Sequence, residues 1–284
     1  MKSFHEELRK KYENHYSSLG LKNLTELVIK RIKGEVGEEQ AKEIKKYLKL
    51  SGKILDVGCG TAEFLVKVAS HCEVHGIEPD ADFVKLARMR MKINGVEGEV
   101  IRAVGEHLPF KDNSFDIVTS FSVLEHVQDP LKVIEEMLRV SKKFVYIHFP
   151  NYAYPYEPHY KIFWIPFMPK MVGKIYLRIR GRNTSFLHDI NYITAHKVMK
   201  YLAKKDVEVK NAVIERIKNP DLVVKHRTLA RVIKFFPYLS NLVSYISPGV
   251  DIIIEKKLDS VAVGRDNKCG AVFKKYKHEG GDKL

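Results

Sequence analysis

The stretch Lys53-Ile54-Leu55-Asp56-Val57-Gly58-Cys59-Gly60-Thr61-Ala62 constrains this chain more than any other. A short apolar, partly β-branched run ends in an acid, breaks into two glycines one residue apart, and resumes with helical periodicity in Glu63-Phe64-Leu65-Val66-Lys67-Val68. A strand that turns straight into a helix is the unit of a parallel sheet with crossover helices. Glycines in such a turn allow backbone geometry that a side chain would forbid and let a ligand approach the main chain closely. A phosphate loop would need Gly-Lys-Ser or Gly-Lys-Thr, which is absent. The dinucleotide fingerprint wants a small residue at position 63, where Glu63 stands and would repel a pyrophosphate.

The same alternation continues downstream. Strands are expected over 53–57, 73–77, 99–103, 115–120 and 144–149, with helices over 62–70, 80–92 and 130–140, which makes a doubly wound, mostly parallel α/β sheet. Its ligand crevice should lie beyond the carboxyl ends of the strands. Residues 1–49 read as a helical cover broken near Gly20 and again at Gly34 to Gly37, and 50–149 as the ligand-binding core of a single domain spanning 1–284. From 150 to 189 the alternation fails and Tyr, Trp, Phe, Pro and basic residues crowd together, which reads as a lid or substrate-facing insertion. Residues 190–258 return to the sheet, with a helix near 190–203, strands near 207–217 and 251–256, and a second insertion at 218–249. The tail, 259–284, has a turn region from Gly264 to Gly270 and one further candidate strand at 271–275.

Two acids give the crevice its chemistry. Asp56 ends the first strand, where it can accept from an ammonium group. Glu78 ends the second strand, 22 residues later, where an acid accepts from both hydroxyls of a ribose. Glycines, an ammonium-seeking acid and a ribose-seeking acid, with no phosphate device, describe a site for an adenosyl amino acid.

With these residues the chain resembles the class I S-adenosylmethionine-dependent methyltransferases, in particular the branch with the ubiquinone and menaquinone biosynthesis enzymes. The resemblance covers about residues 41–149 and rests on "ILDVGCGTAEFL", the acidic end of "VHGIE", "GEHLPFKDNSFDIVTSFSVLEHV" and "DPLKVIEEMLRV" in that order. It implies a Rossmann-like methyltransferase fold with a seven-stranded sheet, and S-adenosyl-L-methionine as cofactor. By resemblance the backbone of Gly58, Cys59 and Gly60 meets the methionine part and Glu78 the ribose. Asp80 or its neighbour Pro79 then meets the adenine edge, and Gly105, Glu106 and His107 the adenine ring, while the segment Leu124-Glu125-His126 borders the methyl-transfer site; Phe121, Glu125 and His126 follow the fourth strand and should edge the cleft. Two departures stand out: Ala62 occupies a position where many relatives have a third glycine, and Val104 one where many have an acid for the adenine amino group.

A sulfonium methyl needs alignment and exclusion of water more than activation, but a carbon or phenolic acceptor also needs a base. His126, His159 and Tyr160 are the candidates, since histidine titrates near neutrality. His148 reads better as a hydrogen-bonding residue among aromatics. The aromatic and basic insertion suits an amphipathic or lipid-linked small acceptor, with peripheral contact to an anionic membrane; Trp164 is expected on this lid, where its truncation would leave thermal stability little changed. The same residues would also suit RNA, and a non-catalytic RNA- or protein-binding module on the same fold is a further alternative.

Composition narrows the setting. Lys and Arg number 49 against 35 acids, a formal charge of +14 that favours an anionic partner or reflects a heat-adapted surface. No uncharged apolar stretch reaches the length of a membrane span and the N-terminus is charged, so cytoplasm is the expected compartment. Cys59, Cys72 and Cys269 lack metal-ligand spacing, and no metal is expected from them.

Overall fold

In the computed structural model the described residues are 2–18, 25–157, 159–212 and 247–257. Strands β1 (Lys53–Val57), β2 (Glu73–Glu78), β3 (Gly98–Arg102), β4 (Phe115–Phe121) and β5 (Ser141–Pro150) run parallel. Two more strands, β8 (Val207–Asn211) and β9 (Gly249–Lys256), complete a seven-stranded sheet of order β3-β2-β1-β4-β5-β9-β8. Helices α4 (Glu63–Val68), α5 (Ala81–Ile93) and α6 (Pro130–Val140) are crossovers.

Burial explains why β1 reads as an unbroken apolar run: its last four residues are buried, as a central parallel strand covered on both faces must be. Successive side chains take opposite faces. Ile54 packs with Phe64, Leu65 and Val84 on one side, while Leu55 and Val57 pack with Val133, Ile134 and Met137 on the other. The chain runs leftward from β1 through β2 to β3, then returns to the right-hand side of β1 as β4. The strand order therefore reverses between β1 and β4, and a crevice opens at their carboxyl ends. Register sets Asp56 beside Thr119 and Val57 beside Ser120.

Strand β9 is antiparallel to both neighbours, pairing Gly249 with Pro150 and Ile252 with Asn211. The amino end of β9 and the carboxyl end of β8 thus lie at the same edge of the sheet as the carboxyl end of β5.

Helices α1 (Lys2–Ser18), α2 (Thr25–Lys33) and α3 (Glu35–Ile44) precede the sheet. Phe4, Leu8 and Tyr12, four residues apart on one helical face, bury themselves with Val28 against Phe83 and Leu86 of α5.

Several boundaries differ from expectation. Helix α4 begins at Glu63 because Ala62 holds a left-handed conformation, φ 59°, instead of starting the helix. Helix α9 (Ala195–Leu202) begins five residues late, where the Thr194 hydroxyl accepts from Lys197 N and caps it.

The 150–189 segment comprises a short hairpin, β6 (Tyr156–Glu157) with β7 (Ile162–Phe163), then α7 (Lys170–Ile179) and α8 (Phe186–Asp189). Its inner side is core. Trp164 is 1% exposed and belongs to the same apolar cluster as Tyr160, Leu177, Leu187 and the β5 residues Val145, Ile147 and Phe149. The expectation of a thermally indifferent Trp164 on a lid is corrected by that burial. The break near Gly20, residues 218–246 of the second insertion, Cys269, the 264–270 turn, the 271–275 strand and the tail lie outside the described residues. Among the described residues no helix is long and apolar enough to cross a membrane.

Candidate active site

Two adjoining hollows share Gly58 and His126 at the switch point. One is a slot between Val57, Ile77, Val104 and Val127, with Pro79, Gly105, Glu106 and His107 on its rim. The other contains Asp56, Cys59, Gly60, Glu78 and Phe121 and extends to Glu125, His148 and His159.

Between strand and helix the chain takes three left-handed residues, Gly58 at φ 75°, Gly60 at φ 52° and Ala62 at φ 59°. At Gly58 the need is also steric: an added Cβ would come within 2.3 Å of Val123 Cγ2. At Gly60 no atom of the described residues beyond its chain neighbours lies within 4 Å of where a Cβ would be, so open space faces the main chain there. Backbone N–H groups of Gly58 and Cys59 both donate to Ile77 O at 2.9 Å, tying the turn to β2.

Glu78 braces this turn. Its Oε2 accepts from Gly60 N at 3.0 Å and its Oε1 from Asp80 N at 3.1 Å. Each oxygen retains a second lone pair, and burial raises the carboxyl above its ordinary value in spite of these bonds. Asp56, 3% exposed, accepts from the Thr119 hydroxyl at 2.8 Å; burial, with the Glu78 charge adding to it, pushes its carboxyl up to about 7. The turn is therefore flanked by two desolvated acids, neither of which has a salt-bridge partner among the described residues. A cation placed between them would relieve both.

Asp80 caps α5: its Oδ1 accepts from Asp82 N and Phe83 N at 2.8 and 3.0 Å and its Oδ2 from Lys11 Nζ at 2.9 Å, while its neighbour Pro79 lines the slot. Glu106 lies on the slot, with Oε1 accepting from Gln128 N at 2.9 Å.

Glu63 also differs from expectation. Tyr12 donates to its Oε1 at 2.9 Å and Arg31 at 3.3 Å, so its charge is compensated from the helical cover instead of standing bare at the turn. Tyr12 and Arg31 both line the cleft. Apolar spacing along α1 identifies the buried face of Tyr12, but nothing local in the sequence pairs it with Glu63.

Glu125 and His126 follow β4 on a tight turn in which His126 N donates to Val123 O at 2.8 Å. Asn191 N donates to Glu125 O at 2.7 Å and its side-chain amide to Val127 O, clamping the turn. Glu125 is fully buried and neither carboxylate oxygen has a hydrogen-bond partner among the described residues; burial pushes its carboxyl up to about 7. Burial, with His159 adding to it, pushes His126 down to about 3, so its imidazole is neutral. The two imidazoles meet edge to face with centroids 5.4 Å apart, and Phe186 packs on both. His148 Nδ1 pairs with Asp251 Oδ1 at 2.7 Å, which also accepts from Tyr146.

Tyr160 is 3% exposed, is not among the residues lining either hollow and packs on Phe186, and burial pushes its phenol up to about 12.

Residues 55–149 match the family model described as a methyltransferase domain. The chain is 38% identical over 105 residues to norajmaline N-methyltransferase of Rauvolfia serpentina, covering 36% of each chain. It is 36% identical over 95 residues to demethylmenaquinone methyltransferase of Geobacillus stearothermophilus, covering 32% of this chain and 41% of that one. In both cases it spans less than half of the relative's length. The fold also matches the YcgJ protein of Bacillus subtilis with a TM-score of 0.50 at 14% identity, over 78% of this chain and 98% of that chain. Residues 55–149 thus match a methyltransferase domain, and over that stretch the chain is similar to methyltransferases that include those of ubiquinone and menaquinone biosynthesis.

Proposed function

We propose that the chain transfers a methyl group from S-adenosylmethionine to a small amphipathic acceptor held at the Glu125–His126–His159 end of the cleft. The observation that carries the cofactor assignment is the pair of desolvated acids, Asp56 and Glu78, on either side of the open space at Gly60. Asp56 would hold the ammonium group, the spare lone pairs of Glu78 the ribose hydroxyls, and the Val57–Ile77–Val127 slot the adenine. When bound, the cofactor supplies a methyl group already activated on a sulfonium, so the chain's own task is alignment and exclusion of water. Phe121, with its ring 4.9 Å from that of Phe64, helps close the cleft floor. His126 and His159 border the acceptor end of the cleft.

The amphipathic acceptor is supported by the outer side of the 150–189 segment. Phe163, Phe167, Met171 and Ile179 are 63%, 68%, 75% and 79% exposed, and Ile165, Val172 and Ile175 are exposed beside them. Lys170, Lys174 and Arg178 lie on the same helix, α7. An apolar helical face with basic flanks suits the surface of an anionic bilayer, from which a lipid-linked acceptor would be drawn. Lipid extract incubated with the chain and methyl-labelled cofactor should carry label into the organic phase; label confined to RNA or to water-soluble products would overturn the acceptor class. In parallel, the chain should sediment with vesicles containing an anionic lipid and not with neutral ones, and Met171→Glu with Ile175→Glu should abolish this.

A further inference from the structure

We propose that Glu125, His126 and His159 form a three-ligand site for a divalent transition-metal ion. One Glu125 oxygen and one ring nitrogen of each histidine lie within 4.8 Å of one another. Among the described residues no hydrogen-bond donor satisfies Glu125. His126 Nε2 lies 3.8 Å from its Oε1, too far for a hydrogen bond, and a carboxylate taken wholly out of water is normally either paired or bound to a metal.

His159 is prepared for ligation from behind. Its Nδ1 lies 2.8 Å from Glu157 Oε1, and a carboxylate only accepts, so Nδ1 carries the proton and Nε2 the lone pair. Glu157 is fully buried and fixed in turn by Tyr160 N at 2.5 Å and the Tyr152 hydroxyl at 3.2 Å. A buried carboxylate holding the far nitrogen of an imidazole is the usual support of a metal-bound histidine.

Two imidazoles and a carboxylate suit zinc, iron(II), cobalt or manganese better than magnesium or calcium. Ligand atoms in a tetrahedral zinc shell sit about 3.4 Å apart, so the present spread needs a small contraction. His126, with 38% of its side chain exposed, is the member with room to turn. The remaining coordination positions would face the cleft, where an acceptor oxygen could bind; that last role rests on the methyl-transfer reading, whereas the site itself does not.

The test uses the untagged full chain, stripped with a chelator and titrated with cobalt(II) alone, followed by visible absorption, and with zinc(II) by calorimetry. One equivalent should bind with the d–d bands of a low-coordinate cobalt centre. Glu125→Gln and His159→Ala should abolish those bands, and Glu157→Gln, which leaves all three ligands in place, should weaken binding about 10–100-fold. Circular dichroism of each variant establishes that it folds. No stoichiometric binding to the wild-type chain overturns the proposal, as does binding that survives unchanged in folded Glu125→Gln and His159→Ala. S-adenosylmethionine titrated into the same stripped protein keeps the outcomes separate: cofactor binding without metal binding removes the metal site and leaves the methyl-transfer reading standing.

Discussion

The hydroxyl of Tyr12 donates to Glu63 Oε1 at 2.9 Å, joining the first helix of the chain to the first residue of the helix that follows the glycine turn. The bond is buried and bridges 51 residues of sequence. Tyr12→Phe removes the donor and leaves the acceptor in place, which should cost about 1–3 kcal/mol. The measurements are thermal unfolding and amide exchange, with faster exchange expected in α1 and unchanged protection in β1 and β4.

Glu78→Ala should weaken S-adenosylmethionine binding by about 1.5–3 kcal/mol, the range for hydrogen bonds to a charged group, with Glu78→Gln milder because one acceptor oxygen survives. The structure adds a second consequence. Since Glu78 also holds Gly60 N and Asp80 N, the Ala variant should loosen the turn even without ligand, visible as a lower melting temperature of the empty protein. Unchanged affinity in a folded variant would remove the ribose assignment.

Trp164→Ala should lower stability by about 3–5 kcal/mol, the usual cost of truncating a buried aromatic. Chemical denaturation of the empty protein measures it. A loss below about 1 kcal/mol would mean that the 150–189 segment is not joined to the main core.

Ala62 sits at φ 59° and is fully buried. Ala62→Gly relieves about 1 kcal/mol of backbone strain and loses about 0.8 kcal/mol of methyl burial, so stability should stay within about 1 kcal/mol of wild type. Ala62→Val combines a β-branched residue in the left-handed region with overpacking, and should cost about 2 kcal/mol or more. A strongly destabilised Gly variant would contradict this account.

Cofactor affinity should fall as pH drops below about 7. Burial raises Asp56 to about 7 in the empty protein, so at lower pH most molecules hold it protonated and unable to attract an ammonium group. Near pH 6 only about a tenth is ionised, which predicts roughly tenfold weaker binding. For folding the sign is the opposite: the raised pKa contributes stability below the ordinary value of 3.8, and that contribution is lost as pH rises through about 7. Calorimetry between pH 6 and 8 checks the first point, and Asp56→Asn should flatten the profile.

The parts of this molecule that were legible in its sequence are those determined locally. Strand β1, its glycine turn and the acids Asp56 and Glu78 at adjacent strand ends follow from a few contiguous residues and the right-handed crossover rule. Asp80 was legible as well, being an Asp just before a helical run, yet its capping role was obscured by the assignment that the family resemblance implied. Tyr12 with Glu63, and His159 with Glu125, depend on how remote elements pack, and no spacing announces them. Trp164 shows the limit most plainly: aromatics bunched with prolines are compatible with either face of an insertion, and only the packing of Leu177 and Leu187 against it decides.

The reversed direction of β9 has a consequence for how such a chain can change. Because Gly249 pairs with Pro150, and Asn211 lies across from Ile252, the stretch that leaves β5 sets out from the same rim of the sheet that the stretch joining β8 to β9 leaves and rejoins. Pro150, Pro248 and Gly249 already line the cleft. A lineage could therefore exchange both stretches and recognise a different acceptor while every ladder hydrogen bond, the glycine turn and the two acids stayed as they are. Chimeras in which only those two stretches are swapped with a relative's offer a direct route to redirecting this scaffold.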